Sequence, residues 1–376
     1  MQPRSMMAVL LGVLAFALAG CASDPFVDYA PLDGAVQSPH PETVPQASRE
    51  GDILASYDVA RSFFPLALSG ALVDYSRGSG RGFNAVLMAD FNSVTADPEQ
   101  PLEAQLAAAD GSRLQLLRAT PDNWGRLQHA ALLDASDIAV VAMPRGPNGS
   151  TAEGREAFAR SVRRHHGRPV WALLPASAHT GNGETLPDPD EAQVMAFAAL
   201  MAGATGVIWQ GEDNYAARNA GMLGIAPAPQ SDYGIQTGTG LPALKATPGD
   251  VAAARRLWSA VTQLNRRIAR LVPALLQPDA PDRYTVATRI ERHARATPPR
   301  LRSLLKPAGD DGLLLILLNE GAQAEEFRIG FARAIRSLNR VDDAAPVTAD
   351  PERGLFRDSI PARGLRLYRL SLRVRE

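Results

Sequence analysis

The chain has 376 residues, 39 basic and 40 acidic, for a net charge of −1, with 45% of the residues hydrophobic and 21% charged. This balance excludes a whole-chain polyanion binder, nucleic-acid-binding proteins among them, and an acidic disordered protein. The length allows one large domain or two ordinary ones, with ample apolar material for a core.

Arg4 precedes an apolar run from Met6 to Ala19, followed by Gly20 and Cys21. The run falls short of the roughly 20 residues that a bilayer-spanning helix needs, and its charged start and small-residue end describe a secretory signal. Leu18-Ala19-Gly20-Cys21 closely resembles the lipobox of bacterial lipoproteins. The resemblance implies cleavage before Cys21, its lipidation, and a membrane partner held through acyl chains. Ala22 at the next position points to the outer membrane. Cys21 is the only cysteine, so disulfides, zinc–thiolate sites and a Cys nucleophile are excluded from the domains that follow. Residues 1–21 therefore read as a signal peptide. Residues 22–51 are rich in Pro, Asp, Ser and Gln without an apolar period and read as a flexible tether, with His40 solvated inside it.

Six apolar runs then alternate with helical patterns: Phe63–Ser69, Phe83–Ala89, Leu114–Leu117, Ile138–Met143, Val170–Pro175 and Val207–Gln210. Continuous runs of this length fit strands of a parallel sheet covered on both faces. Ser150-Thr151-Ala152-Glu153 has capping-box spacing and opens a helix expected to run to Gly167. Asp188-Pro189-Asp190-Glu191 supplies an N-cap, a first-turn proline and acidic residues for a second helix that Gly203 ends. Leu257, Val261, Leu264, Ile268, Leu271 and Leu275 recur at three- and four-residue steps in a third helix, expected over 250–276, with Pro273 in its last turns. The fold class is α/β, a (β/α)-barrel over 52–278.

Beyond Gln277-Pro278-Asp279-Ala280-Pro281 the texture changes to short strand-like runs at Thr285–Arg289, Arg300–Leu305, Leu313–Asn319, Glu326–Ile329 and Leu365–Leu372. Asp310-Asp311-Gly312 reads as a hairpin turn between two of them. Residues 279–376 thus read as a small all-β sandwich that serves packing rather than catalysis.

The segment Ser136–Pro144, then Arg168–Leu174, then Gly203–Trp209, resembles strands six, seven and eight of a glycoside-hydrolase-type (β/α)8 barrel. The closing helix with Trp258 and Asn265, and the final Leu367-Tyr368-Arg369-Leu370, are similar to the usual ending of barrel plus appended sandwich. Phe63-Phe64-Pro65-Leu66 and Gly82–Val86 look like the first two strands. Six strand candidates are two short of a full barrel. Either the middle is abridged, or Phe83–Asn92 is the fourth strand and the early part is missing. Such barrels carry an acid at the end of strand four and a nucleophile at the end of strand seven. Here the seventh strand ends Leu174-Pro175-Ala176-Ser177, without a carboxylate.

Glycoside hydrolysis needs two carboxyl groups flanking the scissile bond. The best-placed candidates are Asp90 and Glu212, each just beyond an expected strand end, where barrel active sites lie. Trp209, Asp213 and Tyr215 are the candidate sugar-binding residues, the two rings offering flat faces for stacking. No metal site or cofactor is expected: His129 and His179 lack partners at ligand spacing, and His165-His166 suit the end of a helix. Ser303-Leu304-Leu305-Lys306 has Ser–Lys spacing without its companion motifs, and Arg77–Gly82 lacks the Lys-Ser/Thr of a phosphate loop. Trp171, inside an apolar run, reads as core.

The expectations are an outer-membrane lipoprotein that acts on or binds a polysaccharide or envelope glycan or, alternatively, a non-catalytic scaffold of the envelope. Cys21→Ser is expected to abolish lipid labelling and release the protein from membranes, measured by metabolic acyl labelling and fractionation; a substituted chain that still carries lipid overturns the lipobox reading.

Overall fold

The computed structural model describes residues 29–31, 66–69, 85–87, 93–95, 116–119, 138–146, 148–164, 169–179, 183–211, 222–225, 246–289, 300–309, 312–343 and 345–373. The first strands are β1 (Tyr29–Pro31), β2 (Leu66–Ser69), β3 (Ala85–Leu87), β4 (Ser93–Thr95), β5 (Leu116–Ala119) and β6 (Ile138–Ala142). Helix α1 (Ala152–Arg164), β7 (Val170–Pro175), β8 (Ser177–His179), α2 (Pro189–Met201), β9 (Gly206–Gln210), β10 (Met222–Gly224) and α3 (Pro248–Leu275) follow. The C-terminal strands are β11 (Tyr284–Arg289), β12 (Leu301–Pro307), β13 (Leu313–Asn319), β14 (Glu325–Phe331), β15 (Ile335–Arg340), β16 (Thr348–Asp350), β17 (Leu355–Ile360) and β18 (Leu365–Leu372).

Seven of these strands form one parallel sheet in the order β3-β2-β9-β7-β6-β5-β4. The last strand in sequence, β9, pairs with the first, β2, which is the closure of a (β/α)-barrel. The one unpaired joint among the described residues lies between β3 and β4. Adjacent parallel strands need a crossover of a dozen or more residues, and only residues 88–92 separate these two. The same short connection forces curvature. A flat seven-stranded sheet would hold its edges about 29 Å apart at ~4.8 Å per strand, whereas the chain from Leu87 to Ser93 reaches at most about 22 Å. The parallel sheet has one strand more than the six apolar runs: Ser93–Thr95, too short and polar to stand out in the sequence, is the addition.

The helices follow their sequence signals with small shifts at two of their starts. The cap of α1 is Thr151, whose hydroxyl accepts from Gly154 N–H at 3.1 Å, one residue later than the expected Ser150. Ser150 instead accepts from Arg155 through its carbonyl and hydroxyl. Asp188 caps α2 as expected, accepting from Glu191 N–H at 2.7 Å, and Gly203, with φ +103°, ends it. A full capping box of Thr247 and Asp250 starts α3, two residues before the expected boundary, and all six periodic leucine, valine and isoleucine positions of this helix are buried.

The C-terminal strands make two antiparallel sheets, β1-β11-β14-β17-β16 and β12-β13-β18-β15. Between them lie Leu315, Leu317, Phe327, Ile329, Phe356, Ile360 and Tyr368 among others, a sandwich core. A buried ion pair crosses it: Arg340 of β15 donates through Nε to Asp358 of β17 at 2.8 Å and also through Nη2, and Tyr368 of β18 donates to the same carboxylate at 2.6 Å. Burial, reinforced by the neighbouring carboxylate, keeps the Tyr368 hydroxyl protonated far above its ordinary range. Tyr29–Pro31, expected in a free tether, is instead the edge strand β1, paired antiparallel with Arg289, Thr288 and Ala287 of β11. Its backbone donors and acceptors complete a sheet edge that the sequence pattern does not reveal.

Strand β13 is buried along its whole length. Leu313, Leu315 and Leu317 face the sandwich core, while Leu314, Ile316 and Leu318 join Val194, Phe197, Leu257 and Val261 of the barrel helices. Helix α2 is consequently buried nearly all round, from Ala192 and Val194 to Leu200. Charged contacts rim the seam: Arg155 of α1 meets Glu320 at 3.3 Å, and Arg302 meets the same carboxylate at 2.6 Å. Arg363 reaches Asp188 at 2.9 Å, and Arg267 of α3 pairs with Asp342 while its guanidinium lies over Phe197.

A shared core has a thermodynamic consequence. Ile316→Ala is expected to cost about 2–5 kcal/mol and to lower the stability of barrel and sandwich together in one transition, followed by far-UV dichroism and Trp fluorescence in denaturant. Two separated transitions, with only one shifted, would contradict a single folding unit.

Candidate functional site

In a sheet of this kind the site lies beyond the C-terminal ends of the strands, and residue parity decides which side chains face it. On β7, Val170, Ala172 and Leu174 pack toward the helices. Trp171 and Leu173, alternating with them, point to the inner side, where Val140 and Ile208 are also buried. Pairing stacks these into rows: Val140 beside Trp171, then Ala142 beside Leu173 and Ile208, then Pro175 beside Gln210, with position 69 of β2 next in register. The inner side is filled with apolar residues below, and its last row before the rim carries the half-buried Gln210.

The parity separates the two tryptophans. Trp209 falls with Val207 on the helix side, has no exposed surface, and donates its indole N–H to Asn265 Oδ1 of α3 at 2.9 Å. Its expected role as a stacking platform for sugar is therefore corrected: it is a core residue that ties β9 to the closing helix. Trp171, read from the sequence as core, is buried too, but on the inner side of the sheet. Their positions in otherwise similar apolar runs give no sign of this difference; only strand register supplies it.

Beyond the strand ends, β8 and β10 form a two-stranded antiparallel ribbon, with His179 opposite Met222 and Ser177 opposite Gly224. Ala176 links it to the sheet, donating to Gln210 and accepting from Ile225, both at 3.1 Å. Glu184 closes the turn after β8 by accepting from His179 backbone N–H at 2.9 Å.

A second fixed point sits where β6 leaves the sheet. Arg145 makes a two-pronged contact with Glu191, at 2.9 and 3.2 Å, and Ser150 N–H donates to the same carboxylate at 2.5 Å. Gly149, at φ +110°, lies against this group, and a Cβ there would come within 3.2 Å of Glu191 Oε1. Three rim acids thus have structural duties: Glu184 in a turn, Asp188 as a cap, and Glu191 as a clamp that also sits at a helix N-terminus, where negative charge is favoured.

The candidate residues Asp90, Glu212, Asp213 and Tyr215 lie outside the described residues, as do Cys21, His40, His129, His165, His166, Asp310 and Asp311. Backbone order still places their points of departure. Asp90 follows β3 and Glu212 follows β9, and a single strand, β2, separates these two. Among the described residues no group of three or more His, Asp or Glu side chains could hold a metal ion. Ser303 and Lys306 are on opposite faces of β12, the hydroxyl bonded to Tyr284 OH and the ammonium to Gln277 O and Asp279, so they form no Ser–Lys pair.

No family profile and no curated protein sequence matches this chain. Among solved structures it is similar to an α-amylase from Anoxybacillus, at 9% identity and a TM-score of 0.39 over 75% of this chain and 59% of that one. It is similar to the α-amylase of Geobacillus thermoleovorans crystallised with acarbose, at 9% identity and a TM-score of 0.36 over 73% and 56%. An endo-β1,6-glucanase is a third neighbour, at 10% identity and a TM-score of 0.32 over 72% and 51%. The chain thus spans little more than half the length of each of these glycoside hydrolases.

Trp209→Phe keeps the ring but leaves the buried Asn265 amide without its donor. The expected cost is about 1–3 kcal/mol of stability, checked by denaturant unfolding. Unaltered stability would contradict a core role for the Trp209–Asn265 bond.

Proposed function

We propose that this chain is a lipoprotein of the cell envelope, anchored through Cys21 and placed at the outer membrane, whose barrel rim acts on or binds a polysaccharide or envelope glycan. Asp90 and Glu212 are the proposed carboxyl pair, with Asp213 and Tyr215 contacting the sugar. The observation that carries this reading is the strand order. Because β3 and β9 flank β2 in one parallel sheet, with Leu87 and Gln210 both paired to Ser69, the strand ends that precede the two acids lie two strand spacings apart, about 10 Å. Side chains starting at that separation can converge on one glycosidic bond, since catalytic carboxyl pairs stand roughly 5–9.5 Å apart.

A second reading, a non-catalytic scaffold, has its own support. Strand β7 ends without a carboxylate, Trp209 turns to the helices, and Glu184, Asp188 and Glu191 serve the fold. A soluble form beginning after Cys21, incubated with a panel of envelope and environmental polysaccharides, separates the two readings. For the catalytic reading, Asp90→Asn and Glu212→Gln should each reduce bond cleavage by about 100-fold or more. Binding without cleavage, unchanged in both variants, would make the rim a lectin-like surface. Absence of binding and cleavage alike would leave the scaffold reading standing.

A further inference from the structure

We infer that the ribbon beyond the strand ends is a sugar-binding wall of the barrel mouth. In it Ser177 and His179 exchange hydrogen bonds with glycan hydroxyls, and Met222 packs against the C–H face of a ring. The inference rests on the proposed glycan function and adds to it the residues that hold the ligand. Val170, Ala172, Leu174 and Ala176 all belong to the core shared with the helices, and Ala178, two residues on, is buried as well. The alternation of β7 therefore runs unbroken through Ala176 into β8. The opposite set, Trp171, Leu173, Pro175, Ser177 and His179, forms one line on the inner side of the sheet. Along that line burial falls and polarity rises: Trp171 and Leu173 are only 3% and 6% exposed, whereas Pro175, Ser177 and His179 are half-buried. Strand β10 repeats the pattern, with Leu223 buried opposite Ala178 and Met222 half-buried opposite His179.

Among the described residues, neither the Ser177 hydroxyl nor the His179 ring makes a hydrogen bond, although the backbone around them is fixed. His179 donates its N–H to Glu184 Oε2 at 2.9 Å and accepts from Glu184 N–H at 3.2 Å. Ala176 ties the base of the ribbon to Gln210 of β9 and to Ile225. Two side chains with open hydrogen-bonding capacity thus stand on a braced backbone about 7 Å apart along the strand, the scale of one sugar residue. Such preorganisation lowers the cost of holding a ligand. A hydroxyl and an imidazole can each donate and accept, as sugar hydroxyls do. Met222, across the ribbon from His179, supplies an adaptable apolar contact. Neither β8 nor β10 carries an Asp, Glu, Lys or Arg, so the match is to uncharged sugars. The Gln210 carbonyl that holds Ala176 comes two residues before Glu212, and the ribbon therefore starts beside the segment that bears this proposed acid.

The test uses the full-length protein in a zwitterionic detergent, with hexasaccharides of glucose, galactose and N-acetylglucosamine as probes. Carbethoxylation of His179, mapped by mass spectrometry, should fall severalfold when a bound probe is at saturation. Ser177→Ala and His179→Ala should each weaken that probe about tenfold, with the denaturation midpoint unchanged because both side chains are half-buried and unbonded. Protection is read on the unsubstituted chain, so it decides the question even where a variant fails to fold. Binding that is unaltered in both variants, with His179 as reactive as in the free protein, overturns the wall and leaves the glycan reading standing. Absence of binding by every probe overturns the glycan reading and the wall with it.

Discussion

Strand β13 is the element on which both halves of this molecule depend. A strand presents alternate residues to opposite sides, and here each side meets a different core: leucines at 313, 315 and 317 enter the sandwich, while Leu314, Ile316 and Leu318 enter the helix layer of the barrel. Each such side chain contributes about 1.5–3 kcal/mol when removed from water, so neither half can release the strand without exposing a row of leucines. The sandwich is thereby an integral wall of the barrel, and α2, caught between the parallel sheet and β12–β13, loses its solvent face.

Polar interactions refine this arrangement rather than drive it. The Arg155–Glu320–Arg302 cluster and the Arg340–Asp358 pair are largely shielded from water, where the cost of desolvation offsets much of the Coulomb attraction. Their contribution is geometric: one fixes α1 against the β13 end of the sandwich, the other locks the two sheets in register through Tyr368. The Arg145–Glu191–Ser150 clamp does the same at the rim. It holds the loop after β6 to the first turn of α2, so the strand-end surface is braced on the side where the described acids are already committed.

Among the described residues the barrel has one unpaired joint, between β3 and β4. In a closed barrel the lumen is packed by rows of side chains and the chemistry is carried by the loops at one end. Rows from Val140 and Trp171 through Leu173 and Ile208 retain that packing on the β6–β7–β9 side. Only five residues separate β3 from β4, too few for the crossover that would pair them directly as parallel neighbours.

Periodicity and punctuation in the sequence determined much of the architecture. The apolar runs located six of the seven parallel strands, caps at Asp188 and Gly203 bounded α2, and the leucine period of 257–275 marked the buried stripe of α3, because these signals act within a few residues of themselves. Local signals could not show that Ser93–Thr95 is a strand, that Tyr29–Pro31 completes a sheet from more than 250 residues away, or that Ile335–Arg340, Thr348–Asp350 and Leu355–Ile360 are strands as well. For those, pairing partners distant in the chain supply the hydrogen bonds. The site was legible only as positions after strand ends. Which of two tryptophans enters the helix core and which turns inward depends on a one-residue parity in β7 and β9, and that parity is set by packing against α2 and α3, in tertiary structure alone.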